Sequence, residues 1–117
     1  MTNNQEILDI IELIKETVPA DQIYLFGSYA FGTPNKSSDY DFYVVLPDGS
    51  VKPQDAVQDI YLALSKLKNC TPVDILALDR SEFDEMKILP TLERKIAREG
   101  ILLFQREAES GSPEIKM

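Results

Sequence analysis

The chain has no histidine, a single cysteine (Cys70) and few basic residues. Each scarcity removes a class of chemistry. Without histidine there is no Ser-His-Asp triad, no Cys-His pair and no histidine-ligated zinc; a general base must be a carboxylate or belong to the substrate. One cysteine cannot form an intramolecular disulfide, so the expected setting is a reducing cytoplasm. The 12 Lys and Arg face 20 Asp and Glu, a net charge of −8. Such a surface repels a polynucleotide and suits a basic protein partner. No apolar run approaches the roughly 18 residues of a membrane span, and the N-terminus lacks a basic, apolar, small-residue signal. What remains is an ordinary globular composition, 44% hydrophobic and 27% charged over 117 residues, enough for one domain with a real core.

The apolar pattern predicts an α/β (α+β) domain. Ile7, Ile10, Ile11 and Ile14 recur at helical spacing over residues 4–17, with Thr2 and Gln5 placed for a capping box. Val18-Pro19 ends that helix, because a residue before proline avoids the α region. Ile23 to Phe26 read as a buried strand, Gly27-Ser28 as the opening of a brief helical turn, and Asp39 to Leu46 as a second strand closed by Pro47-Asp48-Gly49-Ser50. Pro53 starts a helix with an apolar stripe of Val57, Ile60, Leu64 and Leu67. Pro72 to Leu78 form a third strand, and Ser81 with Asp84 suggests the cap of a further helix. Leu89-Pro90 breaks that helix, and Leu92 and Ile96 carry a continuation to a cap at Gly100. Ile101 to Phe104 are a short apolar run that would make the fourth of three to four strands. A disordered tail is expected from Gln105 to Met117, after a single domain over 1–104.

The residues that carry chemistry are Asp39 and Asp41. At spacing i, i+2 on a strand they project to one side while Tyr40 points away. Two carboxylates on one face repel unless a cation lies between them, and Mg²⁺ takes oxygen ligands and bridges to phosphates. Gly27 lets backbone approach a phosphate, and Ser28 adds a hydroxyl and an amide at a helix start. Asp74, set among Val73, Ile75 and Leu76, is a third carboxylate at the start of a strand. If Ser28 and Asp39 meet, the first two strands are antiparallel. The long helix before Asp74 makes the next pair parallel, giving a mixed sheet of three to four strands flanked by helices.

GSYAFG, SDYDFYVV and PVDIL together resemble the signature of the polymerase-beta-type nucleotidyltransferase superfamily. KIAREGILLF is similar to the close of such proteins. The short chain resembles the minimal nucleotidyltransferases, often encoded beside HEPN-domain partners. The resemblance covers about residues 5–104 and implies a nucleotidyltransferase fold. It also implies two Mg²⁺ ions on Asp39, Asp41 and Asp74, ATP as substrate and a triphosphate held by Gly27 and Ser28. Many relatives have arginine where Tyr29 and Phe31 stand; Lys36 could replace some of that charge, and Arg94, Lys95 and Arg98 form a further cationic cluster.

Three functions compete. The first is transfer of AMP from Mg-ATP to a hydroxyl, which the resemblance places on a tyrosine of a HEPN-type RNase toxin, making the chain an antitoxin. The second is a non-catalytic module that neutralises a partner by occlusion. The third is transfer to a small molecule such as an aminoglycoside, with a homodimer or partner subunit completing the acceptor pocket. Cys70 is read as a small helix-end residue and Tyr61 as a partly buried packing residue; Tyr40 and Phe42 fill the core or line a nucleotide pocket, the core being favoured.

Overall fold

The computed structural model describes residues 4–27, 30, 39–67 and 72–106. Among the described residues eight elements follow in order: α1 (Asn4–Thr17), β1 (Gln22–Phe26), β2 (Tyr40–Leu46), α2 (Pro53–Leu64), β3 (Val73–Asp79), α3 (Arg80–Met86), α4 (Leu92–Glu99) and β4 (Ile101–Gln105). The strands form one open mixed sheet in the order β3-β2-β1-β4. β1 is antiparallel to both β2 and β4, whereas β2 and β3 are parallel. α2 is the crossover that lets two successive strands point the same way. Among the described residues no helix is long and apolar enough to cross a membrane.

Strand alternation sends side chains to two cores. On one face Ile23, Leu25, Tyr40, Phe42, Val44, Leu46 and Ile75 pack with Ile7, Ile10, Ile11 and Ile14 of α1 and Ala56 and Ile60 of α2. On the other, Tyr24, Phe26, Tyr43 and Val45 meet Phe83 of α3 and Ile96 of α4. The second core is aromatic: Phe83 sits 5.8 Å from Tyr24 and 5.4 Å from Tyr43, centroid to centroid. Tyr40 and Phe42 are core residues as expected.

Several details differ from the sequence expectation, each for a local reason. The fourth strand is real and extends through Gln105, which pairs with Gln22; the Arg106 N–H then donates to Asp21 O at 2.7 Å. A bulge between Ile23 and Tyr24 in its pairing with β1 leaves Leu103 extra on β4. Helix α2 stops at Leu64, so Leu67 lies outside it and is exposed, while Ala56 rather than Val57 is fully buried. Ser81 does not cap α3. Asp79 holds that position without a side-chain cap bond, and Asp48 of the β2–α2 turn reaches across instead, accepting from the Ser81 N–H at 2.9 Å and from the Ser81 hydroxyl. Tyr61 is exposed, and its hydroxyl accepts the Ile75 N–H at 2.8 Å. Gly100 caps α4 as expected, in extended conformation, and glycine suits the position because a Cβ would stand 2.7 Å from Ile96 O. Thr2, Cys70 and the tail beyond Arg106 lie outside the described residues.

Candidate active site

The site forms where β1 ends and where β2 and β3 begin. The strand directions put these three ends at one edge of the sheet. Phe26 is in register with Asp41, and Asp41 with Asp74. Alternation fixes the face. Asp41 precedes Tyr43 by two residues and Asp74 precedes Leu78 by four, so both project to the side covered further along by α3 and α4. Asp39 stands one step before β2.

Gly27 follows β1 with a φ of 77°, a left-handed conformation that side-chain-bearing residues adopt at a cost. A Cβ there would overlap Asp41 Oδ2 and come within 2.9 Å of Asp41 Cγ. Only glycine allows the turn to press against this carboxylate. The Gly27 carbonyl accepts the Ala30 N–H at 3.0 Å, closing a tight turn beside the acid pair. Ser28, Tyr29, Phe31 and Lys36 lie outside the described residues.

Asp41 is the group whose protonation this setting alters. Its carboxyl is raised from 3.8 to about 6, first by burial, then by the charges of Asp74 and Asp39 and by a hydrogen bond shared with Asp74. The three acids expected to act together thus share one electrostatic neighbourhood. Below them, the buried Tyr43 hydroxyl donates to Glu93 Oε2 of α4 at 2.8 Å. Burial and this acceptor push the Tyr43 phenol far above its ordinary value, so it remains a neutral donor. No sequence periodicity links residues so far apart, and Glu93 was therefore not legible beforehand. Arg94, Lys95 and Arg98 are exposed on α4.

The donor chemistry fits an oxygen-seeking divalent cation. Two cross-strand carboxylates, one of them holding a proton more tightly because of its neighbours' charge, are relieved when a cation replaces that proton. Among the described residues no three acidic side chains are already gathered as a ligand set for one ion. A shallow groove of about 370 Å³ between α2 and β3, lined by Pro53, Gln54, Val57, Ile75, Leu76 and Ala77, contains no titratable side chain and is not this site.

A mixed sheet with a glycine turn and facing carboxylates at one edge defines a nucleotidyltransferase-type domain. The chain belongs to the polymerase beta nucleotidyltransferase family, whose model matches residues 9–109. No match is found among curated proteins. Among solved structures, a protein from Sulfolobus solfataricus described as a nucleotidyltransferase superposes with a TM-score of 0.60 at 21% identity, over 87% of this chain and 79% of that one. A chain of a toxin–antitoxin complex with AMP-PNP gives 0.57 at 23% identity, over 92% and 77%. A complex of tri-AMPylated Shewanella oneidensis HEPN toxin with MNT antitoxin gives 0.50 at 21%, over 88% and 72%.

Proposed function

We propose that the protein transfers AMP from Mg-ATP to a hydroxyl of a partner protein, a tyrosine of a HEPN-type RNase toxin, and so acts as its antitoxin. The observation that carries this reading is the Asp41–Asp74 pair in register beneath the Gly27 turn. The neighbouring structures, one with AMP-PNP and one with a tri-AMPylated toxin, support this choice of donor and acceptor.

The residues divide the work. Gly27 brings backbone N–H groups to the triphosphate, with Ser28 and Lys36 as further contacts. Asp39, Asp41 and Asp74 hold two magnesium ions, and Asp74 receives or directs the hydroxyl proton. Bound magnesium supplies charge neutralisation at the phosphates and a more acidic acceptor hydroxyl. The acceptor oxygen bonds to the α-phosphorus as the bond to pyrophosphate breaks and the hydroxyl proton departs. With no histidine in the chain, positioning and electrostatic stabilisation account for the rate.

The test is to incubate the chain with Mg-ATP and the HEPN protein encoded beside it. The toxin should gain the mass of AMP on tyrosine and lose RNase activity, and Asp39→Asn with Asp41→Asn should abolish both. If neutralisation survives that double change with no mass added, occlusion is the function and transfer is not. Transfer to an aminoglycoside but not to the toxin would place the acceptor among small molecules.

A further inference from the structure

The loop that joins α3 to α4 has no role in the proposed chemistry. Ile88 is 73% exposed and Leu89 49%, and Leu92, the first residue of α4, is 41% exposed. Large apolar side chains so open to water are normally scattered singly; a run of them marks a contact surface. This run is held in place. The Leu89 N–H donates to Met86 O at 3.0 Å and the Thr91 N–H to Leu89 O at 2.7 Å. The Thr91 hydroxyl donates to Met86 O at 2.7 Å and accepts the Arg94 N–H at 3.2 Å. A backbone already fixed loses little entropy when its side chains are covered.

Its position relates it to the carboxylates. Glu93, the residue after Leu92, holds the Tyr43 hydroxyl. Tyr43 follows Asp41 by two residues on the same face and is in register with Leu76, which follows Asp74 by two and is 42% exposed. The apolar loop therefore belongs to the helix pair that covers the face of the sheet to which Asp41 and Asp74 project.

Charge selects the occupant. Residues 80–99 contain five acidic and five basic residues, so this helix pair is neutral and the rest of the chain carries the entire −8. Two copies of so acidic a chain repel each other, as do nucleic acid and anionic membrane. A neutral apolar centre within an acidic molecule fits a protein with an apolar patch and a basic surround. We infer that Ile88, Leu89 and Leu92, with Leu76, form the dock on which the acceptor protein seats its target hydroxyl over Asp41 and Asp74. This inference rests on the proposed function and names the surface through which that function selects its substrate.

The experiment compares wild type with Ile88→Asp/Leu89→Asp, using the HEPN protein encoded beside the chain as probe, and reads Kd by calorimetry and KM for AMP transfer. The double variant is expected to raise both about tenfold or more, with Tm and Mg-ATP binding unchanged. Leu8→Asp, on α1 across the sheet, is expected to bind the toxin as wild type does. Transfer by wild type with an unaltered KM in the double variant overturns the dock and leaves the function standing. Binding without transfer by wild type defeats the function, and loss of that binding in the double variant still supports the dock. If wild type neither binds nor modifies the toxin, both fall. A wild-type homodimer in sedimentation that the double variant dissociates reassigns the surface to self-association and overturns the dock.

Discussion

At the scale of single residues, Asp41 ties structure to chemistry. Its folded-state carboxyl titrates near 6, against 3.8 for the ordinary group. A raised carboxylate means that folding disfavours the ionised form. The cost is therefore fully present above about pH 6, shrinks as pH falls through that value, and vanishes below the unfolded value. Metal-free protein should gain stability between pH 7 and pH 5, by about 1 kcal/mol once solvent screening of a half-exposed group is allowed for. Asp48 has the opposite shift, lowered by its bonds to Ser81, but its loss of stability falls below that window. Thermal melts at the two pH values check the sign. Magnesium at pH 7 should raise Tm and flatten the pH dependence, since the cation replaces the proton. A metal-free melt that is highest at pH 7 would remove the charge crowding assigned to this site. Asp41 was legible from the sequence because strand alternation opposes it to Tyr40; Asp39 precedes the strand, so alternation does not fix its side. The Gly27–Asp41 contact was legible only in outline, since how closely the turn approaches depends on strand register.

At the scale of elements, the link from site to scaffold is the Tyr43–Glu93 hydrogen bond. It joins the strand bearing Asp41 to the start of α4, which otherwise rests on Ile96. Tyr43→Phe keeps the ring contacts with Phe83 and Phe26. It removes only the donor and leaves the Glu93 carboxylate without that partner. The expected loss is about 1–2 kcal/mol, read as a lower urea midpoint with unchanged m-value; an unchanged midpoint would mean that α4 is held by Ile96 alone. Element identity could be read from the chain because isoleucines at helical spacing and short β-branched runs each suit one backbone period. The exceptions are informative. β4 was hard to read because ILLFQ carries no alternation, and its bulge at β1 explains why: Leu103 and Phe104 both pack toward the α1 side despite being adjacent. The cap of α3 was misread because its acceptor, Asp48, comes from a turn 33 residues away. Pairings across the fold leave no local trace in composition or period.

At the scale of the whole molecule, charge decides how the proposed partner arrives. The chain carries −8, and its described ion pairs are exposed or half-exposed, at 3.0 to 3.8 Å. Pairs of that kind add little to stability, so the excess of acid is better understood as a long-range field than as structure. Such a field speeds encounter with a basic surface and is screened over about 10 Å at 0.1 M salt. If the apolar loop supplies the short-range hold and the acidic body the steering, salt should separate the two. Raising ionic strength from about 50 to 500 mM should slow association with the HEPN toxin about tenfold while barely changing dissociation. Stopped-flow mixing or surface-binding kinetics at several salt concentrations reads both rates. The opposite pattern, a constant association rate with faster dissociation, would put charged pairs at the centre of the interface. That would displace the exposed apolar side chains Ile88, Leu89 and Leu92 from the role proposed for them.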